Sequence, residues 1–230
     1  AGNVDYLQVA NGQYLISLKV ILGKLMLLQN QGETGLRYFK EALAGTKELY
    51  HDNHRQIAKV YLGLADAQRL LGQEAEALQT YQMALMTALR DFDEIDVRKN
   101  PSFSMLYADV VIGEAFLGKA QTANKRFEET SEIQWLKLAA ETYEHYFQWE
   151  NLLLAEHQHD RSKLDFASEI HDVGEEALNV LFQLHQLEPE GKIWAKAAFN
   201  ILEQTKGIVL AQSRFELFQK LPQAKGDKDF

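Results

Sequence analysis

The sequence predicts an all-α fold, a solenoid of about four antiparallel helix pairs in single file, and three observations predict it. Apolar and small residues recur every three or four positions through most of the 230 residues. The three prolines, Pro101, Pro189 and Pro222, all fall where that rhythm breaks. Period-two alternation bounded by turn residues, the mark of strands, is missing.

The clearest helix pair lies between Ala58 and Leu85. The helical rhythm runs to Leu71, Gly72 interrupts it, and it resumes from Ala75. Tyr61, Leu64 and Ala65 share one face of the first helix, and Ala77, Tyr81 and Ala84 one face of the second, because residues three and four apart are neighbours. Large side chains then sit over small ones where the helices cross. Gly72 is expected to close the first helix in the left-handed conformation, which costs a glycine no Cβ clash.

An earlier pair repeats this one. Leu22-Gly23 and Leu64-Ala65, Gly35 and Ala77, Phe39 and Tyr81, and Ala42 and Ala84 all stand 42 residues apart. Four coincidences of residue class at one offset constitute an internal repeat. The first pair therefore joins a helix from Gln13 to about Asn30 to one from Thr34 to about Tyr50. Residues Asn3 to Ala10 read as a separate short helical piece.

The order Tyr61, Leu64-Ala65, Gly72, Ala77, Tyr81, Ala84 resembles the tetratricopeptide repeat, whose consensus has an aromatic, Leu-Gly, Gly, Ala, an aromatic and Ala at those spacings. Gln68 departs from it, standing where the consensus has a mid-helix Tyr. The resemblance implies a right-handed superhelix whose first helices line a concave groove. The offset of 42 exceeds the usual 34-residue unit, which implies longer second helices or longer connections.

Beyond the second pair, the acidic stretch Asp91-Phe92-Asp93-Glu94-Ile95-Asp96 reads as a solvated loop. Asn100-Pro101 then reads as an N-cap followed by Pro at the first helical position, opening a helix from about Ser102 to Arg126. That helix is rich in small residues, Gly113, Ala115, Gly118, Ala120 and Ala123 among them. After the polar break at Glu128-Glu129-Thr130-Ser131 comes a helix with Trp135, Leu136, Ala139, Tyr143 and Phe147.

A seventh helix begins near Ser162, with Phe166, Ile170, Val173, Ala177, Leu181 and Leu184 on its buried stripe. The turn Glu188-Pro189-Glu190-Gly191 leads into a last helix carrying Trp194, Ala198, Ile201, Ile208 and Phe215. The expected organisation is an N-terminal segment 1–12, a repeat region 13–221 with hairpins at about 13–50, 53–92, 102–157 and 162–221, and a tail 222–230.

The last hairpin carries a second resemblance. Ala198-Phe199-x-Ile201-x-Glu203-x-Thr205-Lys206-Gly207-x-x-Leu210 is similar to the motif that closes the repeat region of proteins with a caspase-like CHAT protease domain downstream. Gly118-Lys119-Ala120 and Ala139-Ala140-Glu141-Thr142-Tyr143 are similar to the same group. This implies a sensor or scaffold region whose protease lies beyond Phe230, since the chain has no Cys to act as that domain's nucleophile. Ile208, Leu210, Phe215 and Phe218 then pack against that domain or fold back on the fourth pair.

Composition narrows the function. With 46% hydrophobic residues the chain has the material for a substantial core, and its net charge of -9 argues against sequence-independent nucleic-acid binding. Zero cysteines exclude a disulfide framework and Cys-ligated zinc and fit a reducing cytoplasm. No apolar run approaches the roughly 18 residues of a membrane span. The chain opens at Ala1 rather than Met, which reads as an excised or processed fragment.

Chemistry-bearing motifs are sparse. His51 and His54, and His157-x-His159-Asp160, are pairs without a third ligand at motif spacing. Neighbouring carboxylates such as Glu128-Glu129 and Glu175-Glu176 read as surface charge. No nucleophile elbow, zinc-protease motif, phosphate loop or dinucleotide fingerprint occurs, and no cofactor is expected.

The expected function is therefore a non-catalytic protein-interaction scaffold that binds a protein or peptide. By family analogy its groove is lined by Ser17, Val20, Lys24 and Leu27 on the first hairpin and Lys59, Leu62, Asp66 and Arg69 on the second. The Lys/Asn clamp of repeats that hold a C-terminal carboxylate is not matched, because the lysines lack Asn partners. The alternatives are a peptide-sensing regulatory domain and, behind it, a metal-dependent enzyme using His157 and His159.

Overall fold

The computed structural model describes residues 6–50, 53–156, 160–190 and 192–220. Among them the architecture is all-α, and the chain divides into two compact units, Ala1–Glu156 and His157–Phe230.

The described residues of the first unit hold six α-helices: α1 (Tyr6–Leu28), α2 (Gly32–Leu49), α3 (Arg55–Leu70), α4 (Glu74–Ala88), α5 (Val110–Thr130) and α6 (Ile133–Glu156). They pack as the pairs α1/α2, α3/α4 and α5/α6. Each pair also touches the next through α2 against α3 and α4 against α5, and the first helices meet along α1, α3 and α5. α1 runs unbroken from Tyr6, so the expected separation of a short piece ending at Ala10 does not occur. Gly12 lies inside that helix, and Leu49 of α2 packs 3.0 Å from the position a Cβ would take.

The repeat is visible in the backbone. Gly72 closes α3 with φ +69°, and Asn30, 42 residues earlier, closes α1 with φ 59°. Asn is among the few other residues that take this conformation readily. Gln31 and Gln73 then donate their N–H groups to Met26 O at 2.8 Å and Gln68 O at 2.9 Å. The α3 start is capped by His54, whose Nδ1 accepts the Gln56 N–H at 3.1 Å while its ring stacks on Tyr50. His51, its expected helix-face partner, lies outside the described residues.

Glycines seat aromatic rings between neighbouring helices. Phe39 of α2 is fully buried between Gly23 of α1 and Gly63 of α3; a Cβ at either position would stand 2.8 or 2.2 Å from its ring. Tyr81 of α4 takes the same role against Gly118 of α5, at 2.3 Å, and Trp149 of α6 lies against Gly113 at 2.2 Å. Such contacts let helix axes approach closely and fill the space with apolar ring.

The third pair begins differently from the expected form. Asn100 and Pro101 do not start a helix; a single 3-10 turn (Phe103–Met105) follows, and α5 starts only at Val110. Its cap is Asp109, whose carboxylate accepts the Val111 N–H at 2.9 Å. Asn100 is engaged elsewhere, accepting from Lys119 Nζ at 2.8 Å and donating to Thr142 Oγ1 at 3.0 Å.

The loop between α4 and α5 is only partly the solvated segment its acidity suggests. Asp91, Asp93 and Glu94 are exposed, but Phe92 is buried. Gln82 Nε2 donates to the carbonyls of Glu94, Asp96 and Lys99. Lys119, fully buried on α5, donates to Gln82 Oε1 at 2.7 Å, Lys99 O at 2.9 Å and Asn100 Oδ1 at 2.8 Å. Burial pushes its ammonium down to about 7. Its three hydrogen bonds oppose that desolvation and tie the loop to both flanking helices. His145 adds a further tie, its Nε2 lying 2.8 Å from Pro101 O and its ring against Phe103 and Phe116.

The second unit contains α7 (Asp160–Leu187) and α8 (Lys192–Lys220), packed on each other. Val173, Ala177, Val180, Leu181 and Leu184 bury against Trp194, Ala197 and Ile201, and Gly174 makes room for Thr205. The side chains of Phe166, Ile170, Ile208, Leu210, Phe215 and Phe218, and the tail from 221, lie outside the described residues.

Candidate interaction cleft

The first helices of the three pairs in the first unit enclose a cleft of about 530 Å³. α1 contributes one face, α3 the facing one, and the first turn of α5 closes an end through Val110, Val111 and Glu114. The three helices come together because Phe39 clamps α1 to α3 and Tyr81 seats α5 through Gly118.

Five of the eight groove residues read from the sequence line this cleft: Ser17, Val20 and Lys24 from α1, Lys59 and Leu62 from α3. The other three do not. Leu27 turns onto α2, where its Cδ2 fills the space above Gly35. Asp66 accepts the Tyr81 hydroxyl at 2.6 Å, and Arg69 Nε donates to the same hydroxyl at 3.3 Å. Burial raises the Asp66 carboxyl above its ordinary range, partly offset by the Tyr81 hydrogen bond and the nearby cations Arg69 and Lys24. Burial likewise pushes the Tyr81 phenol well up. Asp66 is thus engaged within the pair.

Arg55, at the start of α3, and the whole α5 contribution escaped the sequence reading. Arg55 forms a two-pronged pair with Asp109, Nη2 to Oδ1 at 3.0 Å and Nε to Oδ2. The carboxylate therefore caps α5 and links it to α3 at once, while the Asp109 carbonyl accepts the Trp149 indole N–H at 3.0 Å. Burial alone would raise the Asp109 carboxyl, but Arg55 and the Val111 N–H hold it below the usual carboxylate range. The one available sequence signal was Asp109 directly before the apolar run Val110-Val111-Ile112.

Leu62 and Val111 are buried in the cleft wall, and Lys24 is exposed. The charged lining residues are three cations, Lys24, Arg55 and Lys59, and one anion, Glu114, in a chain of net charge -9. Aliphatic area beside positive charge suits recognition of a polypeptide segment. Among the described residues no group of three His, Asp or Glu is placed to hold a metal ion; His157 and His159 lie outside them. No helix there is long and apolar enough to cross a membrane.

Residues 14–88, spanning the first two pairs, match the tetratricopeptide repeat family model. That match supports tetratricopeptide repeats over α1 to α4, repeats that generally mediate contacts between proteins. No curated protein matches the chain.

Proposed function

We propose that this chain is a non-catalytic protein-interaction module whose α1–α3–α5 cleft takes a polypeptide segment bearing acidic and aliphatic side chains. The observation that carries the reading is the convergence of Val20, Leu62 and Val111 with Lys24 and Lys59 in one concavity. A helix or extended strand lying there places aliphatic residues on the wall and carboxylates at the lysines.

The similarity of the last hairpin to the closing motif of CHAT-protease proteins supports a further step. In that reading the module is the sensor or scaffold arm of a larger cytoplasmic protein with a caspase-like domain downstream. The coding sequence beyond Phe230 tests this step by itself.

The cleft is tested by selecting binders from a displayed random-peptide library on the 230-residue chain. Selected sequences are expected to be rich in Asp, Glu, Leu and Ile, and to lose at least about tenfold in affinity against a Lys24→Glu/Lys59→Glu variant. Binders indifferent to both lysines would sink the proposal.

A further inference from the structure

α1 is apolar on two opposite sides. One side packs on α2, with Gly23 under Phe39, Ile16 beside Gly45 and Leu27 over Gly35. The other side bears Tyr14, Leu18, Ile21, Leu25 and Leu28, which are 77, 51, 55, 45 and 84% exposed, with Leu15 beside them at 54%. A helix apolar all round is ordinarily covered all round.

The spacing of the exposed stripe is informative. Positions 14, 18, 21, 25 and 28 step by four, three, four and three, the 3.5-residue period of a helix paired lengthwise with another helix. No charged residue interrupts it. Between residues 11 and 28 the only charges are Lys19, bonded to Glu41 at 3.1 Å, and Lys24, and neither lies in the stripe.

The internal repeat shows what this face is not. The offset of 42 carries Leu18, Ile21 and Leu25 onto Val60, Gly63 and Ala67 of α3, all buried. There the small residues admit α2, with Phe39 seated on Gly63. On α1 the same positions hold long or branched side chains and offer no such seat. Long side chains at this spacing can interleave, knob into hole, with those of a facing helix.

We infer that this stripe is the contact through which two copies of the chain associate, α1 against α1. A stripe of Leu, Ile and Tyr free of charge is complementary to itself, which a two-fold contact requires. The six exposed side chains offer roughly 600 Å² of apolar surface on each copy. Complete coverage of all six on both copies buries at most about 1,200 Å², the lower end of the range for a specific interface. Ile21 belongs to both this contact and the cleft, but Leu18 and Leu25 do not line the cleft, so substitutions there separate the two.

Sedimentation equilibrium of the 230-residue chain tests the inference. The unaltered chain is expected to be dimeric at micromolar concentration. Leu18→Glu/Leu25→Glu and Leu18→Lys/Leu25→Lys are each expected to weaken association at least about 100-fold with unchanged helix content by circular dichroism. An equimolar mixture of the two variants is expected to recover dimers, since opposite charges then meet across the contact. A chain that is monomeric at high concentration, leaving the stripe to some other occupant, would overturn it; so would a dimer indifferent to both variants.

Discussion

The Phe39 ring rests on Gly63 so closely that a Cβ there would stand 2.2 Å from Cε1. Phe39 is fully buried and also meets Gly23, so it has no direction in which to withdraw. Gly63→Ala is expected to destabilise the first unit by about 1–3 kcal/mol, the usual range for overpacking, less the gain of up to about 1 kcal/mol from replacing a mid-helix Gly. Urea denaturation measures it. Adding Phe39→Leu should recover part of the loss; a neutral Gly63→Ala would mean that the ring is not a fixed wedge.

Lys119 fills three acceptors from full burial, two of them in the α4–α5 loop. Lys119→Met keeps most of the volume and removes every donor, taking the Lys119 bond from Gln82 Oε1 and Asn100 Oδ1, while Lys99 O keeps the Gln82 amide. The expected cost is about 2–4 kcal/mol. Amide hydrogen exchange over residues 91–105 should accelerate while that of α1 and α2 stays unchanged. Uniform acceleration across the unit would argue against a local tie.

Asp109 carries a pH dependence of stability. Its carboxyl is held below its unfolded range, so the folded state binds fewer protons than the unfolded state at acid pH. The stabilisation is complete above the unfolded value of about 3.9 and is lost as pH falls through the folded value. In denaturation series from pH 7 to pH 2.5, the stability difference between the unaltered chain and Asp109→Asn should shrink toward the acid end. Asp66, raised by burial, has the opposite sign, and the subtraction cancels it because both proteins retain it. A difference that is flat or grows below pH 4 would contradict the Arg55 pairing.

Partner binding in the cleft should be sensitive to salt. Lys24 is exposed and Lys59 partly so, and their attraction for carboxylates is screened over about 8–10 Å at ordinary ionic strength. Raising salt from 50 to 500 mM should weaken a selected acidic peptide several-fold, chiefly through slower association, as surface plasmon resonance would record. A salt-insensitive peptide would place recognition on the aliphatic wall alone.

The seats of the wedging rings show why periodicity could not supply the packing between pairs. Gly63 follows Phe39 by 24 residues, whereas Gly118 follows Tyr81 by 37; the 13 extra residues are absorbed in the α4–α5 connection. A fixed offset of 42 aligned Phe39 with Tyr81 but had no means of aligning the glycines beneath them. Asn100-Pro101 looked like a helix start because the local signals were present. Lys119 and Thr142, distant in sequence, engaged the Asn100 side chain instead.

The sequence by itself determined that this protein is all-α, that its first two pairs are copies 42 residues apart, and where α1 and α3 end. Those features follow from local steric preference and from apolar spacing, which short stretches of chain contain in full. Only the tertiary structure decided which groove residues meet, that α5 closes the cleft through Asp109 and Arg55, and that a lysine sits buried beneath the acidic loop. Each of these depends on groups tens of residues apart finding one another at van der Waals or hydrogen-bond distance, and no single helix encodes that encounter.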